Sequence, residues 1–152
     1  MPTALLVGSF GQRNPGDEAL ADAFGRALPD WRMVTAASVP ARPGDSASLK
    51  VNGRSAPAVA RALYSCDAVI VAGGTVFKSL HPGAGRRPLA MLTKAVALTT
   101  AARALGKPCA MVGVGAGMLD SAMARRLARV LVRQTDLLVL RDEESAEVLA
   151  TA

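Results

Sequence analysis

Aromatic side chains are scarce. Among 152 residues only Phe10, Phe24, Trp31, Tyr64 and Phe77 carry a ring, 3% of the chain. Base-stacking platforms cannot be assembled from so few rings, which argues against a nucleic-acid partner. Long apolar runs are missing too. The longest, over 110–119, is interrupted by glycine, whereas a helical membrane span needs about 20 apolar residues. Cysteine occurs only as Cys66 and Cys109, far apart, with no CxxC spacing and no neighbouring histidine. Neither a disulfide framework nor a zinc site follows, and both residues read as small buried hydrophobes. The single histidine, His81, has no Ser-His-Asp set, carboxylate pair or ligand cluster around it, so no metal site is expected. The first residues, MPTALLVGSF, show neither a basic stretch nor a cleavage signal, and a cytoplasmic location is expected.

Alanine dominates the 51% of the chain that is hydrophobic. Such small residues let helices pack closely on a sheet. The length suits one domain over 1–152, with enough core to fold without staples. The formal charge is +6, carried mainly by arginine. That surplus fits an anionic substrate, a nucleic acid or simple solubility, and composition does not choose among them.

Short non-alternating apolar runs read as buried parallel strands: Leu5–Val7, Trp31–Ala37, Asp67–Val71, Cys109–Val114 and Asp136–Leu140. Helical spacing fills the intervals. Leu20, Phe24 and Leu28 share a face behind Asp17, which is placed to cap the first turn. A second helix covers Pro57–Tyr64. A third, Leu89–Leu105, is apolar on more than one face, is expected to be well buried, and is stopped by Gly106-Lys107-Pro108. A fourth, Ser121–Gln134, sets Leu127, Val130, Leu131 and Gln134 against Arg125, Arg129 and Arg133. A last helix opens near Asp142. The stretches Val39–Gly53 and Thr75–Pro88 read as exposed loops. Alternating strands and helices predict an α/β, three-layer Rossmann-like domain with a five-stranded parallel sheet. The expected strand order is 3-2-1-4-5, with a ligand at the carboxyl ends of the strands beside the switch point between strands 1 and 4.

Glycine marks the candidate site. Gly8, Gly11, Asn14, Gly16 and Asp17 lie between strand 1 and its helix, where glycines allow close approach and a helix N-terminus favours an anion or sugar hydroxyls. Turn geometry alone is the competing explanation. The spacing is not the dinucleotide fingerprint GxGxxG. Gly73, Gly74 and Thr75 end strand 3. Lys78-Ser79 does not complete a P-loop, because Ala72 and Phe77 occupy its glycine positions. Gly113, Gly115 and Gly117 end strand 4, where phosphate binding and close helix packing explain the glycines equally well. Arg141 follows strand 5 and suits bidentate capture of a carboxylate or phosphate. Asp142 suits the cap of the last helix. His81 is a weak candidate for acid or base chemistry. The arginine stripe of Ser121–Gln134 reads as a solvated face.

In order, GxxGxxNxGDEAL after strand 1, DAVIVAGG at strand 3, VGVGAG at strand 4 and LLVLRDEES at strand 5 resemble the polysaccharide pyruvyl transferases. The resemblance spans nearly the whole chain, with Ala72 standing where the family tends to have a third glycine. It implies the N-terminal half of a GT-B-like two-domain transferase. It also implies phosphoenolpyruvate as donor substrate, a sugar or polysaccharide precursor as acceptor, and no cofactor beyond these. Protonation of the donor methylene would create an oxocarbenium-like centre for sugar hydroxyls to attack, with cations holding carboxylate and phosphate. A missing C-terminal domain is expected to complete the active site, and a homodimer is possible. Two other readings stand beside it: the acceptor domain of a GT-B glycosyltransferase using a nucleotide sugar, and a small flavodoxin-like binding domain without catalysis.

Overall fold

A computed structural model describes residues 1–10, 15–37, 49–81 and 87–152, and among them seven strands and five helices follow one another along the chain. The chain is α/β, with parallel strands flanked by helices in a Rossmann-like layout. It divides into two compact units, Met1–Ala72 and Gly73–Ala152.

The first unit holds β1 (Thr3–Val7), α1 (Pro15–Ala27), β2 (Arg32–Ala37), β3 (Leu49–Asn52), α2 (Ala56–Ser65) and β4 (Ala68–Ala72). Its strands run in the order β3-β2-β1-β4, all parallel. β1 is therefore central, and Ala4, Leu5 and Leu6 are fully buried. Each such leucine removed from water contributes about 1.5–3 kcal/mol. Leu5 aligns with Val34 on one side and with Val69 on the other. Asp67, just before β4, clamps the start of β1: its carboxylate accepts from Thr3 N–H at 2.7 Å, and its own N–H donates to Thr3 O at 2.7 Å. Helix α1 packs on β2 and β4, and α2 on β3 and β1. Ser55 caps α2 by accepting from Ala58 N–H, and Cys66 closes it with its buried thiol on Leu63 O.

Two expectations fail here. The segment 49–52, read as loop, is a strand at the outer edge of β2. That edge being taken, Ala68–Ala72 lies beside β1 rather than beyond β2. The expected order, which set this strand outside its predecessor, is corrected for that reason. The order reverses at β1 and β4, so the switch point of this unit lies between those two strand ends. Residues 39–48 of the expected loop lie outside the described residues.

The second unit holds β5 (Thr75–Phe77), α3 (Ala90–Ala104), β6 (Cys109–Ala116), α4 (Ala122–Gln134), β7 (Leu137–Leu140) and α5 (Glu143–Ala150). β6 pairs in parallel with β5 and with β7. β5 lies inside the stretch expected to be loop. Asp136 repeats the clamp of the first unit: its carboxylate accepts from Cys109 N–H at 2.8 Å while its N–H donates to Cys109 O. Helices α3 and α4 pack together, and Thr99 donates to Gln134 Oε1 at 2.7 Å across their contact. α3 buries only Leu92, Thr99 and Ala102. Thr93, Lys94, Ala97, Thr100 and Ala104 form an exposed stripe, so the expectation of a well-buried helix is corrected. Alanine and threonine are small enough to face water on one side without exposing a large apolar patch. α4 has the expected two faces: Ala124, Ala128 and Leu131 are buried, Arg129 and Arg133 exposed.

Candidate functional site

In the first unit the end of β1 is explained by packing. A Cβ at Gly8 would lie 2.6 Å from Ala72 O and 2.7 Å from the Phe10 ring. The ring is itself buried, 1% exposed. Gly8 thus makes room for Phe10 and for the end of β4 at the switch point. Pro15 starts α1 with its fixed φ, and Gly16 and Asp17 follow in the first turn, Asp17 buried. A carboxylate there complements the positive end of the helix dipole. Gly11 and Asn14 lie outside the described residues.

In the second unit the remaining candidates come together at the carboxyl end of β6. Gly73 and Gly74 both adopt positive φ, 66° and 68°, a turn closed to side chains with a Cβ. Gly73 N–H donates to Val112 O, and Gly115 N–H donates to Gly74 O at 2.8 Å. Thr75 pairs with Gly115. Gly113 has φ 66° where the register between β6 and β7 slips, from Val112↔Val139 to Val114↔Leu140. It is the extra residue of a bulge, and bulges re-aim the strand that follows. Arg141 N–H donates to Val114 O just past this point.

Arg141 lies across the bulged strand end. A Cβ at Gly115 would be 3.0 Å from the Arg141 Cζ and Nη2 and 3.3 Å from Nη1. Glycine leaves this space to the guanidinium; a Cβ would crowd it by a few tenths of an ångström. Its Nε donates to Asp142 Oδ2 at 2.8 Å. Asp142 caps α5, with Oδ1 accepting from Ser145 N–H at 2.8 Å and from the Ser145 hydroxyl. The fully buried Ser145 hydroxyl also accepts from Ala116 N–H at 2.8 Å, tying α5 to β6. The Asp142 carboxyl is held down to about 2, first by the Ser145 hydroxyl, then by Arg141 and the Ser145 N–H. It is therefore an anion at any physiological pH.

Gly8, Gly73, Gly74 and Arg141 directly follow strands, Thr75 opens β5, and Gly113 and Gly115, expected to follow a strand, lie within β6, which runs on to Ala116. Ser145 was not legible as part of this cluster. Its spacing from Asp142 gave the local cap, but nothing in the sequence pointed to Ala116, 29 residues away. His81 is exposed beside 82–86, which lie outside the described residues. Among the described residues no group of three or more His, Cys, Asp or Glu side chains is placed to hold a metal. Cys66 and Cys109 are buried and not joined in a disulfide. Burial first, and Asp136 second, push the Cys109 thiol up to about 11, which keeps it protonated and unreactive.

Open parallel α/β sheets as a class bind their ligands at the carboxyl ends of the strands. The family model described as polysaccharide pyruvyl transferase matches residues 14–152, and the chain belongs to that family. No curated protein matches it. No helix among the described residues is long and apolar enough to cross a membrane.

Proposed function

We propose that the chain is the Rossmann-like N-terminal domain of a transferase that moves a pyruvyl group from phosphoenolpyruvate onto a pair of sugar hydroxyls. The product would belong to a cell-surface polysaccharide or its precursor. The observation that carries the reading is Arg141, laid over Gly115 at the end of β6 with its guanidinium edge beyond Nε given no hydrogen bond among the described residues. That edge suits the carboxylate or phosphate of the donor. Family membership supports the rest of the assignment.

The chemistry balances as a ketal-forming transfer. The donor methylene takes a proton and becomes a methyl group, leaving C2 cationic in character. One sugar hydroxyl adds to C2, phosphate departs, and the second hydroxyl closes the ring. The two hydroxyl protons replace the one consumed at the methylene and the one taken up by phosphate. A fixed cation stabilises the negative charge of the departing phosphate. In this reading Arg141 and the glycine turns hold the donor or acceptor. A second domain, as in GT-B-like enzymes, supplies the acid and base, and the domain works in the cytoplasm. His81 stands as a weaker candidate for proton transfer.

Calorimetric titration of the full chain with phosphoenolpyruvate and, separately, with nucleotide sugars tests this. Binding of phosphoenolpyruvate that weakens by about tenfold or more in Arg141→Gln supports the reading, since one charged hydrogen bond is worth about that much. Preferential binding of a nucleotide sugar would transfer the assignment to a glycosyltransferase acceptor domain. Binding of neither would leave a domain without this donor site.

A further inference from the structure

We propose that Asp142 is a positioning residue for Arg141, holding its guanidinium over Gly115 in the one orientation that presents both Nη groups to an anion; this rests on the reading of Arg141 as an anion-binding residue. Three observations lead there. Arg141 is attached to a strand end but is a long, half-exposed side chain, 54% accessible. Left alone it would sample many rotamers. Its Nε is instead fixed to Asp142 Oδ2 at 2.8 Å. The guanidinium also lies against the bare backbone of Gly115, within 3.0 Å of where a Cβ would stand.

Asp142 is in turn immobilised from the other side. Oδ1 accepts from both the N–H and the hydroxyl of Ser145, and that hydroxyl accepts from Ala116 N–H. The carboxylate therefore joins two jobs, one per oxygen: Oδ1 caps α5 and Oδ2 holds Arg141. An arginine whose Nε is already bound offers Nη1 and Nη2 as a rigid fork and loses less freedom when an anion arrives. The family match covers these residues but says nothing of how they divide the work.

Asparagine separates the two jobs. Asp142→Asn keeps one acceptor oxygen, and the two donors of Ser145 compete for it against the single Nε of Arg141. The cap retains it, since asparagine and aspartate cap helices about equally well. Arg141 then faces an amide N–H and swings free. Ser145→Ala does the reverse: it orphans the Ala116 N–H and loosens α5 while leaving Asp142 Oδ2 on Arg141. Gly115→Ala crowds the guanidinium, which must shift by a few tenths of an ångström, without touching Asp142.

The test uses the full chain, phosphoenolpyruvate titration, thermal melts and the Arg141 Nε–H resonance by NMR. In the parent that proton is expected to exchange slowly. Asp142→Asn is expected to lose the slow exchange and weaken binding by about tenfold or more with a nearly unchanged melt. Ser145→Ala should lower the melt with binding little changed, and Gly115→Ala should follow Asp142→Asn. If Asp142→Asn binds like the parent while Arg141→Gln does not, positioning is overturned and the anion site stands. Parent-like binding in Arg141→Gln overturns the anion site and the positioning with it.

Discussion

Thr35 shows most directly what single residues contribute. It sits in the middle of β2, 2% exposed, and its hydroxyl finds no hydrogen-bond partner among the described residues. A buried unsatisfied hydroxyl costs about 1–3 kcal/mol. Valine has nearly the same shape without that burden, and its branched side chain suits a strand. Thr35→Val is expected to raise stability by about 1 kcal/mol, read as a higher urea midpoint at unchanged slope. A lower midpoint would mean that the hydroxyl is satisfied in solution. Gly8 acts in the opposite sense, since the space its missing side chain leaves is filled by Phe10 and Ala72 O. These local facts reach function at Gly115, where the same absence of a Cβ seats an arginine.

Each unit is built from elements joined by one repeated device. An aspartate precedes a strand and clamps the first residue of the strand beside it, Asp67 on Thr3 and Asp136 on Cys109. The carboxylate accepts the N–H that the strand start would otherwise leave open, which helps set the register of the pair. At the other end of β7, Asp142 caps α5. Because the folded chain holds its carboxyl at about 2, below the ordinary 3.8, the stabilisation is present above 3.8 and is lost as the pH falls toward 2. Urea melts of the parent and Asp142→Ala across this range check it. The gap between them should be full at pH 5 and close progressively below pH 4. A gap independent of pH would show that the charge plays no part in the cap.

At the scale of the molecule, β7 stands out for exposure. The strands β1 and β4 are largely buried, whereas Leu137 and Val139 are 55% and 44% exposed. Among the described residues of its unit β7 pairs with β6 alone. A short apolar edge strand with no charge in its sequence is prone to pair with another chain. Leu137→Lys with Val139→Thr is expected to reduce concentration-dependent association in sedimentation experiments. The melt should shift little, within about 0.5 kcal/mol, as for other exposed positions. Unfolding of the double variant would show that these side chains are needed for the fold.

Much of the architecture was set by sequence alone, because its causes are local. Short apolar runs, three of them ending at glycine, gave five of the strands, and 3.6-residue spacing gave the helices. The cap at Asp142 and the stop at Gly106, with φ 68°, needed only their neighbours. The ordered glycine motifs were enough to identify the family. Tertiary structure decided the rest. β3 and β5 are too short and mixed to announce themselves and exist because an adjacent strand offers them hydrogen bonds. With β3 on its edge, β4 takes its place beside β1. The seat of Arg141 depends on Gly115, and that of Ser145 on Ala116, pairs brought together only when β6, β7 and α5 pack. Periodicity records which face of an element is buried; it does not record against which distant residue.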